Sequence, residues 1–474
     1  MSKTIVERLA EFSANTQFGQ LPANVIEECK RDVLDSIGVA LAAVEQPKGL
    51  AGIECARRMA GSDGDATIIG TRERSTTFGA AFANGELINT LDMDSVLLPG
   101  HVSPYVLPGA FAVGETRHRS GMDLVAAIAV SHEMSYRFGA TMSLTRDHKD
   151  GKVAMPAVVG YTSTIFGATA SASKLKGLAV DKLANALGIA AATTPVNAHG
   201  AWLRHAPAAT IKYVMAGSIT NAALTAAEMA DLGHRGDIQT LDDREFGYPR
   251  FIGTERWEPQ TLTTGLGLEW RFPTFQMYKP YPHCRVMGAP LDLLIDLIAK
   301  NDIKVNEIAG IKVFGEGWAY VLPSFMSRDI QRVEDAQFCF AHGMAVAAHR
   351  IEPGRKWQEP AVVFAPSVMA LMNKVSLEVH PASVHALADN PSSRPSRVEI
   401  RARGQTFAAE KRFPKGTPSP DAGTFMTTDE LVAKFRSNAE GIIPAASIDS
   451  VVDGVLNLEK VGDFASIMRQ LVRK

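Results

Sequence analysis

Cysteine is scarce and scattered. Cys29, Cys55, Cys284 and Cys339 are the four in 474 residues, and no two have CxxC spacing. That excludes the usual zinc and iron–sulfur ligand patterns and fits reduced thiols in a cytoplasm. Long apolar runs are also lacking; none approaches the roughly 20 residues of a membrane-spanning helix. Residues 1–20 include Glu7 and Glu11 and have no apolar centre of the signal-peptide kind. Extended Lys/Arg runs are missing, and the formal net charge is -2. Neither nucleic acid nor an anionic membrane is therefore an expected partner. There is no GxxxxGK[ST] loop, no strand–GxGxxG–helix unit, no HExxH and no GxSxG elbow. Nucleotide, nicotinamide, zinc-protease and serine-hydrolase chemistry lose their main support. A soluble, cytoplasmic protein whose chemistry is carried by side chains is the reading that survives.

Apolar residues are 46% of the chain and charged residues 21%, the balance of an ordinary globular protein. The length predicts two or three structural units. Behind Pro22, placed to open a helix, Val25, Ile26, Cys29, Val33, Leu34, Ile37 and Leu41 form one apolar stripe. Ala, Gly, Ser and Thr dominate from Ala168 to Ala230 and predict closely packed helices. From about Arg271 the pattern changes: residues 308–314 and 396–403 alternate like half-buried strands. Helical patterns lie between them, at 336–351 and 367–372. Thr427 to Glu430 is a capping box that returns the chain to helix. The expected fold is mainly α: a large all-helical domain, residues 1–269 plus 406–474, with a smaller inserted α+β domain at 270–405.

Two stretches carry chemistry. Asn84 to Ser95 (NGELINTLDMDS), followed by His101-Val-Ser-Pro104, puts Asp92, Asp94 and His101 between two predicted helices. A carboxylate beside an imidazole fixes its tautomer and tunes its pKa for proton transfer; a capping aspartate and a surface histidine is the competing reading. Lys279 to Arg285 (KPYPHCR) projects a lysine, His283, Cys284 and an arginine from a proline-stiffened segment. Such donors suit a polycarboxylate and the enediolate or carbanion left by proton or CO2 loss; an exposed hinge is the alternative. His342, His349 and Cys339 read as packing or surface residues.

Together these stretches resemble the MmgE/PrpD family. Gly70-Thr-Arg, Ala80 to Gly85 and the LDMD segment follow its glycine turn and NG–LDFDD segment. Gly167 to Leu178 resembles its Ala-rich KLLGL helix, and Ile211 to Gly217 its T-K-x-L-H-A-G segment. KPYPHCR resembles its KPYP-x-C junction, and Lys411 to Lys434 its C-terminal YPKG-x-P…KF signature. The likeness spans nearly the whole chain.

That resemblance implies a lyase, a dehydratase or decarboxylase, acting on a small di- or tricarboxylic acid of the citrate, aconitate or methylcitrate type. It also implies a homodimer, no metal or organic cofactor, and a site between two domains. His101 and Asp92, with Lys212 and Lys279, match its site residues: His101 would carry the proton, oriented by Asp92, while the lysines hold carboxylates. Cys284 falls where decarboxylases of the family carry a further histidine, with His283 one position earlier. Tyr320 matches a site tyrosine. Arg204 and His205 are further candidates for substrate carboxylates near Lys212, or else residues of a solvated loop. The chain departs from the pattern at Asp94-Ser-Val96, at Asn89 in place of a common histidine, and near 158, where a family histidine is missing and His148 is the nearest substitute. These departures keep open an epimerase or isomerase of a dicarboxylate and a non-catalytic carboxylate-binding relative.

Overall fold

The computed structural model describes residues 3–144, 147–149, 152–154, 156–158, 160–195, 199–320 and 322–473. The His148 side chain, weighed above as a substitute proton carrier, lies outside the described residues. The fold is mainly α and is built around two hydrophobic cores.

The first core takes residues from Val6 to Phe272 and again from Phe435 to Leu471. Its helices are α1 (Ile5–Asn15), α2 (Ala23–Ala43), α3 (Pro47–Ala60), α4 (Thr77–Thr90), α5 (Ser103–Thr116), α6 (Gly121–Thr141), α7 (Thr164–Lys176), α8 (Val180–Thr193) and α9 (Lys212–Asp231). Pro22 is the extended N-cap of α2 rather than part of its first turn. Small residues let these helices meet closely. A Cβ on Gly217 of α9 would stand 2.4 Å from the Phe82 ring of α4, and one on Gly167 of α7 would stand 2.4 Å from the Ser131 carbonyl of α6. Larger side chains there would push the helices apart.

The second core gathers Trp202 and Leu203 with residues from Val286 to Ala402. It holds α10 (Gly288–Asn301), β1 (Ile308–Gly315), α11 (Phe340–Ala348), β2 (Val375–Val379), β3 (Ser396–Ala402) and β4 (Gln405–Lys411). The sheet order is β2-β1-β3-β4, parallel between β1 and β2 and antiparallel elsewhere. Val398, Ile400 and Ala402 of β3 point inward in the period of two that their sequence shows. The expected boundary at 405 needs correction, because β4 pairs with β3 along its whole length, from Ser396–Lys411 to Ala402–Gln405. Its mostly polar, exposed residues mark an edge strand and conceal it from a hydrophobic pattern. The boundary at 270 also shifts, since Phe272 still belongs to the first core.

The chain then returns through α12 (Thr428–Ala439) and α13 (Ala445–Leu456). Thr427 caps α12 as the capping box predicts: its hydroxyl accepts from the Glu430 N–H at 3.2 Å, and Glu430 accepts from the Thr427 N–H at 2.7 Å. Phe435 of α12 packs on Gly38 of α2. This return brings a C-terminal lysine, Lys434, beneath the loop after α4.

Candidate active site

The loop between α4 and α5 does most of the positioning. After α4, Asp92 takes a left-handed conformation, φ 51°, which the short Asp side chain tolerates better than most. The chain then bridges the junction segment: Val96 donates to the Met277 carbonyl at 2.8 Å and Met277 donates back at 2.9 Å. Both ends of the loop are tied to Asp32 on α2. Its carboxylate accepts from Ser95 Oγ at 2.6 Å, from Ser103 Oγ at 2.9 Å and from Gln276 Nε2 at 3.0 Å, and His132 Nε2 lies 2.9 Å away.

Asp92, Asp94 and His101 meet as a result. His101 Nδ1 is 2.6 Å from Asp94 Oδ2, whereas its Nε2 is 3.5 Å from Asp92 Oδ1. The orienting carboxylate is thus Asp94, not Asp92 as the sequence led us to expect. Asp92 instead receives two ammonium groups, Lys279 Nζ at 3.1 Å and Lys212 Nζ at 3.3 Å from Oδ1. Lys279 also donates to the Asp92 carbonyl at 2.6 Å. Lys212, at the start of α9, donates to the carbonyl and side-chain oxygen of Asn89 at 3.0 and 2.5 Å. Asn89 Nδ2 donates to the Lys212 carbonyl at 2.6 Å. Beneath the cluster, Lys434 Nζ donates to Asp35 at 2.7 Å and to the carbonyls of Met93 and Lys279, each at 2.9 Å.

Burial and charge compete at each group. Burial raises Asp92 and Asp94, but the basic side chains beside them override it: Lys279, Lys212 and His101 at Asp92, and above all His101, through its contact and hydrogen bond, and Lys279 at Asp94. Both carboxyls end below their ordinary range. Burial and the two lysines hold His101 below 6.5 against the pull of Asp94. Burial lowers Lys279, yet Asp92 and Asp94 outweigh it and the ammonium stays charged. The free site therefore combines charged carboxylates, charged Lys279 and an imidazole biased toward neutrality.

This cluster walls a cavity of about 450 Å³ that both cores line. Tyr161 stands edge-on to His101, ring centroids 5.8 Å apart, with its hydroxyl proton held firmly by burial. Arg285 and Arg394 reach the cavity from the second core's side, and Arg256 lines it while donating to the Met142 and Ala140 carbonyls at 2.8 and 2.9 Å. The described lining includes the cations Lys212, Arg256, Lys279, Arg285 and Arg394 and the carboxylate of Asp92; Lys212 and Lys279 pair with Asp92, and Arg394 pairs with buried Glu316 behind the wall. A wall so weighted toward cations suits a polyanionic ligand.

Five of the residues singled out from the sequence line this cavity: Asp92, His101, Lys212, Lys279 and Cys284. Four do not. His283 points the other way from Cys284: its Nδ1 lies 3.0 Å from the Gln337 carbonyl and its ring packs near Trp357, where burial lowers its pKa to about 4. Arg204 and His205 are exposed, because Trp202 and Leu203 before them turn inward. Tyr320 donates to the Val313 carbonyl at 3.3 Å and to that of Glu378, seated on β1 and β2. Tyr161, Arg394, Asp32 and Asp35 escaped notice in the sequence. Arg285, read from the sequence as one of the cationic donors of KPYPHCR, does line the cavity, whereas Lys434 lay inside a recognised segment with no role attached.

Asp92, Asp94 and His101 offer ligand atoms within 4.8 Å of one another, a spacing a metal ion can use. Two ammonium groups already sit against the Asp92 carboxylate. A cation there would have to displace them, so the donor set fits the lysines better than a metal.

The fold and the site describe a mainly helical protein with a cavity, lined from both cores, against which His101, Asp92, Lys212 and Lys279 gather. The chain belongs to the MmgE/PrpD family: the family model for the MmgE/PrpD N-terminal domain matches residues 7–260, and that for the C-terminal domain matches 281–458. It is similar to a cis-aconitate decarboxylase of Mus musculus, 30% identical over 503 residues that cover 99% of this chain and 94% of that protein. A cis-aconitate decarboxylase of Homo sapiens is 25% identical over 491 residues, covering 100% and 95%. The cis-aconitate decarboxylase-like protein oryM of Aspergillus oryzae is 24% identical over 511 residues, covering 98% and 96%.

Proposed function

We propose that this protein is a carboxy-lyase acting on a small tricarboxylic acid of the aconitate type, with neither metal nor organic cofactor. The observation that carries the reading is the convergence of His101, Asp92, Lys212 and Lys279 on one cation-rich cavity, with Asp94 behind the imidazole. The names of the relatives agree with it.

In this reading the substrate carboxylates pair with Lys279, Lys212 and the cavity arginines. Breaking the bond to one carboxylate releases CO2 and leaves its electron pair on carbon, delocalised toward the remaining unsaturated acid. Fixed ammonium groups stabilise that charge as it forms, an effect typically worth 10²- to 10³-fold per donor. His101 then delivers a proton from Nε2 to the carbanion. Asp94 holds the Nδ1–H and stabilises the imidazolium that precedes transfer. Binding a polyanion beside His101 raises its proton affinity, which readies a group that is biased toward neutrality in the free enzyme.

The neutral bias of His101 favours a second reading, a hydro-lyase in which the imidazole removes a proton before water leaves. Products decide between them. Purified protein incubated with cis-aconitate in D2O and followed by proton NMR should release one CO2 and incorporate one solvent deuteron per product. Replacing His101 by Ala should reduce turnover roughly 10²- to 10⁴-fold with the melting temperature retained. Loss or gain of water without CO2 would move the protein to the hydro-lyases; deuterium exchange without a leaving group would make it an epimerase.

A further inference from the structure

Five successive backbone carbonyls, from Asn89 to Met93, run from the end of α4 through the left-handed turn at Asp92, and each accepts from a side chain of a different segment. Lys212 Nζ reaches the Asn89 carbonyl at 3.0 Å, Gln337 Nε2 that of Thr90 at 2.7 Å, and Gln358 Nε2 that of Leu91 at 2.9 Å. Lys279 takes Asp92 at 2.6 Å and Lys434 takes Met93 at 2.9 Å. The last carbonyls of a helix lack partners within it, and its C-terminal end favours positive charge. Lysines and amides together meet both needs.

The amides come from the second core's side. Gln337 and Gln358 flank α11, are buried beside the core residues Phe338 and Trp357, and are not among the described residues lining the cavity. Their bonds fix their orientation. Gln337 Nε2 also donates to Gln358 Oε1, and Gln337 Oε1 accepts from the hydroxyl of Tyr213, the residue after Lys212. Gln358 Nε2 also donates to the Pro282 carbonyl at 2.8 Å, on the segment that carries Lys279. Either amide flipped would set its oxygen against carbonyl oxygens.

We propose that Gln337 and Gln358 are positioning residues, which dock the second core on the end of α4 and so fix the spacing of Asp92, Lys212 and Lys279 around His101. The proposal rests on the lyase reading above for the reaction it serves. One network touches the backbone beside each of the three charged groups, so a lost donor leaves a buried carbonyl unpaired and lets the turn shift. A displacement of about 1 Å at reacting groups can cost roughly 10²-fold in rate.

Gln337→Met and Gln358→Met keep much of the side-chain shape without the donors. Turnover of cis-aconitate is followed by proton NMR in D2O, and affinity for tricarballylate, a saturated tricarboxylate, by calorimetry. Each variant should lose roughly 10- to 10²-fold in kcat, while KM and tricarballylate affinity change little because the cavity wall is intact. Val398→Ala, in the buried face of β3, should lose stability and keep kcat. Wild-type kcat in the folded glutamine variants, a rise in KM alone, or an equal fall in Val398→Ala overturns the proposal. If neither glutamine variant folds, Tyr213→Phe decides, since it removes only the hydroxyl that orients Gln337: a severalfold fall in kcat upholds the proposal, and wild-type kcat overturns it. Water loss or deuterium exchange in place of CO2 release by the wild type ends the carboxy-lyase reading, and the same kcat comparison still judges the two glutamines. A wild-type protein that turns nothing over brings both down.

Discussion

At His101 two carboxylates divide the labour. Asp94 touches Nδ1 at 2.6 Å and selects the tautomer, whereas Asp92 faces Nε2 from 3.5 Å and neutralises the lysines. Asp94→Asn keeps the shape but removes the charge that stabilises an imidazolium, and its amide accepts either tautomer. We expect kcat to fall roughly 10²- to 10⁴-fold with little change in melting temperature. The pH dependence has a definite sign in the proton-donor reading. Burial and the lysines hold His101 below 6.5 in the free enzyme, so kcat/KM should fall as pH rises through that lowered pKa. In the complex the bound anion raises the same pKa, so the corresponding limb of kcat should lie at higher pH. Coincident limbs in the two profiles would remove His101 as the donor. The LDMD–HVS constellation was legible in the residues, but the roles of its two aspartates were not. In an extended segment, residues two apart share a face at similar depth; the left-handed φ of Asp92 breaks that rule, and a local backbone turn leaves little trace in residue type.

The elements explain why those side chains hold their places. On α2, Glu28, Arg31, Asp32 and Asp35 follow helical spacing, and by pattern alone they would be assigned to water. Arg31, Asp32 and Asp35 are in fact buried. Glu28 accepts from Tyr278 at 2.6 Å, Asp32 ties both ends of the loop between α4 and α5, and Asp35 receives Lys434. The apolar stripe of α2 was legible; its polar ridge was not, because periodicity shows a face without showing what covers it. Lys434→Met would strand the Asp35 carboxylate and deprive the Met93 and Lys279 carbonyls of their donor. Breaking such a pair should cost about 3–5 kcal/mol. Adding Asp35→Asn removes the stranded charge and should restore much of that stability. It should not restore kcat, since the two carbonyls that space Asp92 from Lys279 still lack Lys434. Urea unfolding and steady-state kinetics on both variants separate the effects; recovery of stability and kcat together would make Lys434 structural only.

On the scale of the whole molecule, buried groups pull stability in opposite directions with pH. The change from helical to alternating pattern was legible, as at β1 and β3, whereas these titrations depend on contacts that no local pattern records. Glu86 joins α4 to α9, accepting from the Gly217 N–H at 2.8 Å, and so links the helices that lead to Asp92 and carry Lys212. Burial raises its pKa from 4.5 to about 7 against the opposing Gly217 bond and Lys212 charge. Glu28 is likewise raised to about 7, by burial first. A raised folded pKa means that the native state holds the proton more tightly, so this stabilisation is complete below 4.5 and is lost as pH rises through about 7. His283 works in reverse: its folded pKa of about 4 gives stability that is complete above 6.5 and lost as pH falls toward 4. His101 acts in the same sense as His283. Total stability therefore mixes both signs, and Glu86→Gln isolates one. The stability of the native protein relative to this variant should decrease by on the order of 3 kcal/mol from pH 4.5 to 8, from a shift of about 2.5 units at about 1.4 kcal/mol each. Denaturant unfolding of both proteins across that range measures it directly. A difference that stays constant with pH would mean that Glu86 is ionised throughout, and that the contact between α4 and α9 is held by a charged carboxylate.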